Sequence, residues 1–273
     1  MLFRSVSGFD ARSSVGFAVA GALASLAVVP VALSVQATVP TAEVHTHISM
    51  RELARVVPTG AGTMLLVGLA HGSMMGLAAT HATREGLSLS RTGALVACLG
   101  LGGMLSNWPV NAASDDVDRR IVGIVVALGT VGMSFVFMQV DITGPWAIPT
   151  MLGVGMMSHP LYAIGCAYTN DWIDPEHLDA AASQLVTLYG IGALIGPFIA
   201  AVFMDTLGTN GYPAALMAMH GLIAVFLVYR VRAWHAPLTS RPWREVNLPA
   251  RAFFVPATIV SVGVQRTRRR RVG

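Results

Sequence analysis

The sequence predicts an all-α membrane protein with seven transmembrane helices, and three observations carry that prediction. Charged residues make up 12% of the 273 positions against 54% hydrophobic ones, and the mean hydropathy is +0.62. A soluble domain carries about 25% charged residues, so this chain has too few charges to cover a water-facing surface. The apolar residues also fall into continuous runs close to the roughly 20 residues that a helix needs to cross a bilayer core of about 30 Å. Finally, these runs do not alternate apolar with polar, as the strands of a membrane barrel would.

Taken in order, the first run covers 15–33 and follows a polar stretch, 1–14. It is long enough to span rather than to serve as a cleaved signal. A more polar segment, 34–58, leads to a second run at 59–80, which is closed by Arg84, Glu85 and Gly86. The third run, 92–110, contains Gly100, Gly102 and Gly103 and ends before a charged cluster at 115–120. The fourth, 121–140, stops at Asp141 and a Gly144-Pro145 turn. The fifth, 146–168, is followed by the polar stretch 171–179; the sixth, 185–204, carries Gly190, Gly192, Gly196 and Pro197. The seventh, 211–229, begins just after Gly208. Small residues let helices approach closely where lipid supplies no hydrophobic drive, so most of these glycines are expected to pack helix on helix. An eighth run, 252–264, is shorter and contains Pro256, so it is expected to lie on the protein or at the interface.

These runs divide the chain into an N-terminal segment with the first span (1–33), a cytoplasmic linker (34–58), a six-helix bundle (59–230) and a basic tail (231–273). All 18 basic residues are arginine. With seven spans, one side of the membrane would hold Arg51, Arg55, Arg119, Arg120 and the tail arginines from Arg230 to Arg271. The other would hold Arg4, Arg12, Arg84 and Arg91. The positive-inside rule then puts the C-terminus in the cytoplasm and the N-terminus outside. Tail arginines Arg266 to Arg271 can meet anionic lipid headgroups. The basic balance sits largely in that tail and does not argue for a nucleic-acid partner.

The most specific motif lies between the third and fourth runs, from Asn107 through Trp108, Pro109, Ser114 and Asp115 to Arg119 and Arg120. Acids followed by paired arginines at a helix junction can bridge neighbouring helices. Read as a signature, this loop resembles the Gly-x-x-Ser-Asp-Arg-x-x-Arg-Arg motif of the major facilitator superfamily, in the copy between its eighth and ninth helices. Ser114, Asp115, Arg119 and Arg120 match it, and Trp108-Pro109 resembles a bacterial efflux-like branch. Asn111 stands where the motif has glycine, and Asp116 where it has the central arginine. The stretches from His159-Pro-Leu-Tyr162 to Asp171 and from Leu188 to Pro197 are similar to the same branch. This resemblance implies the C-terminal six-helix bundle of a twelve-helix carrier, plus one preceding helix, in a bacterial inner membrane. It also implies that five helices are missing, so that the chain is truncated and works with a separate N-terminal half or a second copy. The expected function is transport of a small solute, as an exporter, with coupling to protons.

Polar residues inside a span are costly and are functional candidates by default. His71 and His159 sit mid-span, and Tyr162 and Cys166 follow His159 at helical spacing on one face. By the resemblance, the second, third, fifth and sixth spans line the central cavity, which makes His71, His159, Tyr162, Gln184 and Tyr189 candidates for the solute path. His220 is expected to face outward in a structural role. Cys98 and Cys166 lie in apolar runs with no disulfide or metal spacing. His45 and His47 lack further ligands, and no phosphate loop or nucleophile motif occurs, so neither cofactor nor catalysis is expected. A non-transporting seven-helix scaffold or sensor, or an inactive carrier fragment, remains the alternative reading.

Overall fold

A computed structural model describes residues 47–233, together with the helical positions 21, 22, 24–26 and 29 of the first apolar run. The rest of that run, the linker before residue 47, the tail beyond residue 233 and the 252–264 segment lie outside the described residues.

The described residues from 47 onward belong to one compact unit, Ala42–Ser240, and are mostly helical, with no strand among them. A short helix α1, Met50–Val56, precedes α2, Pro58–Arg84, and α3, Leu89–Asp116. Then come α4, Arg119–Gln139, the paired α5, Ala147–Ser158, and α6, Pro160–Trp172, and finally α7, Leu178–Leu207, and α8, Gly211–Ala233. Helix α1 corrects the reading of 34–58 as loop throughout: Ser49 caps it by accepting from the Glu52 amide at 3.2 Å, and Leu53 is buried. Among the described residues, four segments are long and apolar enough to cross a membrane: α2, α3, α4 and the continuous stretch Leu178–Ala233 that contains both α7 and α8.

Two other expectations need correction. The third run does not end at residue 110, because α3 continues through Pro109 to Asp116 and reduces the loop before α4 to Val117 and Asp118. Pro109 lies on the exposed side of the helix. The fifth run is not one helix. Pro160 cannot donate an amide, so the hydrogen-bond ladder breaks between α5 and α6. His159 keeps helical angles of φ −60 and ψ −36, which lets the two short helices follow one another through the span.

Close helix pairs build the bundle. A Cβ on Gly68 or Gly72 would run into the backbone of Tyr189 or Ala193 on α7; one on Gly192 or Gly196 would strike the Leu65 or Leu69 carbonyl on α2. Gly102 of α3 and Gly155 of α5 meet each other's helices in the same way. Such backbone-to-backbone seams substitute for the hydrophobic drive that lipid does not provide. Between α2 and α3, Gly86 takes φ 77, and the amides of Leu87 and Gly86 reach the carbonyls of Ala82 and Thr83, both at 3.1 Å. This left-handed cap satisfies the last carbonyls of α2 and reverses the chain.

The outer surface is apolar. Met104 and Trp108 on α3 and Leu194 and Phe198 on α7 are each at least 70% exposed. A water-soluble monomer does not present contiguous apolar surface of this extent. With its continuous apolar helices, the chain is a multi-pass membrane protein.

Candidate functional site

The break at Pro160 creates the centre of the site. In an unbroken helix the Ser158 carbonyl would accept from the Tyr162 amide, but that amide turns to the His159 carbonyl at 3.4 Å. The freed Ser158 carbonyl instead accepts from His71 Nε2 on α2 at 3.1 Å. Because a carbonyl can only accept, His71 carries its proton on Nε2 and presents Nδ1 as an acceptor, toward which the Tyr189 hydroxyl points at 3.4 Å. The Ser158 side chain is also engaged. His220 Nδ1 donates to the Leu216 carbonyl at 2.8 Å, so its Nε2 accepts from Ser158 Oγ, also at 2.8 Å.

His159 joins through its ring. It lies against His71 with centroids 5.4 Å apart, and its Nδ1 donates to the Gly155 carbonyl at 3.0 Å. Gly103 of α3 packs beneath it, where a Cβ would come within 2.5 Å of the imidazole. Tyr162 meets Tyr189 edge-on at 5.1 Å, and the Cys166 thiol approaches Met64 Sδ at 4.0 Å.

The cluster therefore has depth. His159, Tyr162, Cys166 and Tyr189 are half-buried, whereas His71, Ser158 and His220 are buried. His71 falls at the middle of α2, Ser158 at the break in the fifth span, Tyr189 and His220 in the interior of α7 and α8. A polar file thus runs across the bundle near half its height, from an accessible tyrosine face to a sealed histidine.

Four of the five solute-path candidates come together here: His71, His159, Tyr162 and Tyr189. Gln184 does not. It is half-buried, five residues before Tyr189 on α7, which sets it about 7.5 Å away along the axis. His220 is the reverse case: it was expected to face outward but is fully buried and bonded to Ser158. Ser158 was missed altogether. The available signal was indirect: Pro160 withholds the amide that would reach the Met156 carbonyl, and at the break the Tyr162 amide turns to His159, leaving the Ser158 carbonyl to find another donor.

The motif residues form a second, separate cluster at one end of the bundle. Arg119 starts α4 and donates to Asp171 on α6 at 2.6 Å, to Asp115 on α3 at 2.8 Å and to Ser114 Oγ at 3.0 Å. Asp118 caps α4 through the Arg120 amide at 2.9 Å and pairs with the Arg120 guanidinium at 2.7 Å. Burial pushes the Asp118 carboxyl up, but the Arg120 hydrogen bonds outweigh it and hold the group below its usual range. Arg120 also donates to the Arg230 carbonyl at 3.3 Å, and Arg230 donates to Thr59 at 2.8 Å, tying α8 to α2. Trp108 and Pro109 take no part in this cluster; both are exposed on α3.

Depth decides what these ion pairs contribute. The Arg119 side chain is only 10% exposed and the Asp171 side chain 27%. Asp171→Asn is expected to cost about 1.5–3 kcal/mol, the range for a hydrogen bond to a charged group. At the other end, the Arg84–Asp205 pair is 2.9 Å long, with side chains 51% and 66% exposed. Asp205→Asn should cost about 0–1 kcal/mol. Thermal melting of both variants in the same detergent checks the contrast, and equal shifts would contradict it.

Comparison with known proteins gives the same classification. The family model described as the Major Facilitator Superfamily matches residues 61–271. The chain is 26% identical over 155 residues to an uncharacterized MFS-type transporter, YcaD, of Escherichia fergusonii, which covers 55% of this chain and 38% of that protein. To the YcaD protein of Salmonella arizonae it is 26% identical over 173 residues, 62% of this chain and 43% of that one. The chain thus spans about two-fifths of the length of these curated relatives. No solved structure matches it. With the family model covering most of its length and the motif arginines drawn together at a helix junction, the chain belongs to the major facilitator superfamily.

Proposed function

We propose that this chain supplies one bundle of a secondary transporter that moves a small solute, as an exporter coupled to protons, across a bacterial inner membrane. The observation that supports this reading is the file of Tyr162, Tyr189, His71, Ser158 and His220, with His159 stacked beside it. Intramembrane ionisable residues are expensive and occur where ions or solutes pass. A set of them at half height, open on one side and closed on the other, is what a midplane site requires.

The roles follow from the tautomers. His159 offers Nε2 on the half-exposed side, where a solute or a proton can arrive. His71 can take a proton on Nδ1 if the Tyr189 hydroxyl rotates from donor to acceptor. Two positive imidazoles 5.4 Å apart would repel by about 3 kcal/mol at an effective dielectric constant near 20, which limits the pair to one proton. The loaded site would then differ from the empty one by a single charge, enough to bias a rocking bundle.

The Arg119 cluster serves as the end contact that favours one arrangement of α3, α4 and α6. Six arginines gather at this end of the described bundle, Arg51, Arg55, Arg119, Arg120, Arg230 and Arg232, against Arg84 and Arg91 at the other. By the positive-inside rule this asymmetry supports a cytoplasmic cluster end, and with it a cytoplasmic C-terminus and an outside N-terminus. A rocking carrier needs a second bundle, supplied by another chain or a second copy.

The test is reconstitution in vesicles with a companion bundle, under an imposed proton gradient, against a panel of small fluorescent solutes. The wild type should move at least one of them, and His159→Ala should slow that solute about tenfold, the value of one lost hydrogen bond. Unchanged transport by His159→Ala removes the histidine from the path. No gradient-dependent movement of any solute would favour the scaffold or sensor reading.

A further inference from the structure

A cavity of about 200 Å³ lies at the end of the bundle away from Arg119, where α2 and α4 finish and α8 begins. Its polar lining comes from His81, Glu85, Asp141, Thr209 and Asn210, and its apolar walls include Phe137, Met138 and Pro213. None of these residues belongs to the histidine cluster described above.

His81 is the unusual member. It is only 4% exposed, stacked on Tyr212 with ring centroids 4.9 Å apart and touched edge-on by Phe137 at 5.9 Å. Tyr212 donates its hydroxyl to the Met74 carbonyl at 2.8 Å. Among the described residues neither ring nitrogen of His81 has a hydrogen-bond partner, although buried polar groups are normally paired. An imidazole held in place by two aromatic rings, with its nitrogens free beside a cavity, is a prepared hydrogen-bonding group.

The carboxylates set the sign of the ligand. Asp141 Oδ1 accepts from the Thr143 amide and hydroxyl, both at 2.8 Å, and these bonds together with the nearby Arg91 charge hold its carboxyl below the usual range. Arg91 donates to the Gly144 carbonyl at 3.0 Å in the same turn, so one positive charge stands near Asp141. Glu85 has no partner among the described residues. The lining therefore carries one negative charge beyond what Arg91 offsets.

We propose that this cavity binds a small primary alkylammonium ion. Its N–H bonds would go to His81, its charge to Glu85, and its alkyl chain to Phe137, Met138 and Pro213. An anion would be repelled by both carboxylates. A hydrated divalent cation would find an apolar wall in place of oxygen ligands. A quaternary ammonium would satisfy the charge and leave His81 without a donor.

The experiment is calorimetric titration of the full chain in detergent with propylammonium, 1-propanol and tetramethylammonium, without any transport measurement. Propylammonium should bind saturably, and the other two at least about tenfold more weakly, since each lacks either the charge or the donors. Glu85→Gln and His81→Phe, which keeps the aromatic stack, should each weaken propylammonium about tenfold. Absence of saturable binding to the wild type, or equal affinity for 1-propanol, overturns the site. Unchanged affinity in folded Glu85→Gln removes the counter-charge and overturns it equally. If His81→Phe does not fold, tetramethylammonium decides the histidine's part: affinity equal to propylammonium's means that no N–H is read and the primary-amine assignment is wrong.

Discussion

In the proposed carrier, assembled with a companion bundle, replacing His71 with phenylalanine is expected to slow transport about 10- to 100-fold while leaving the protein helical and monodisperse. The substitution keeps an aromatic ring of similar size at a buried position in the middle of α2. It removes both bonds that make the site continuous, Nε2 to the Ser158 carbonyl and Nδ1 to Tyr189. The Ser158 carbonyl then lies in a low-dielectric interior without a donor, because the Tyr162 amide is already directed to His159. Losing a hydrogen bond to a group that carries charge during turnover costs about 1.5–3 kcal/mol, which is the stated change in rate. Solute flux in vesicles at several pH values measures it. His71→Phe that transports as fast as wild type, with the same pH profile, rules His71 out as the proton carrier. A comparison with His220→Phe separates the carrier from its support. His220 reaches His71 only through Ser158, so its loss should disturb stability more than the pH profile.

The second large effect concerns folding rather than chemistry. Gly192→Leu is expected to prevent isolation of folded protein, whereas Gly190→Leu, two residues away, should be tolerated. A Cβ at residue 192 would drive into the backbone of α2 at Leu65 and Leu69; one at residue 190 meets nothing within 4 Å. Neither backbone can yield without parting α2 from α7, the tightest seam of the bundle. Overpacking of a flexible core costs about 1–3 kcal/mol, and a clash against fixed backbone exceeds that range. At residue 190 the sign reverses, since leucine favours a helix over glycine by about 1 kcal/mol. Size-exclusion profiles and thermal midpoints of the two variants are the measurement. A folded Gly192→Leu with a wild-type midpoint would mean that α2 and α7 do not pack as described.

Much of the fold could be read from composition. Hydropathy is a sum over neighbouring residues, so the runs that become α2, α4, α7 and α8 stand out without any tertiary information. The ends were less legible, because they depend on single interactions. Helix α3 outran its apolar run to Asp116, since Ser114 and Asp115 lie along its last turn where Arg119 can reach them. The fifth span broke at Pro160 for a reason visible in the sequence, but what the break was for could not be read there.

That limit defines the division for the site as well. The motif residues Ser114, Asp115, Arg119 and Arg120 and the mid-span His71 and His159 were identifiable because charge and imidazole are rare in lipid-facing sequence. Their partners were not. Asp171 is an ordinary flanking acid until α6 brings it to Arg119, and Ser158 is a small packing residue until the Tyr162 amide turns to His159 and leaves its carbonyl to His71. His220 and Gln184 exchanged places between expectation and structure, because a helix rotated by one residue turns a side chain through about 100°. Residue type alone sufficed to place these helices in a membrane, since partition between water and lipid depends only on what each side chain is. The tertiary structure decided which buried polar groups meet across helices, because such a pair depends on how each helix is rotated, and the packing of glycine seams sets that rotation.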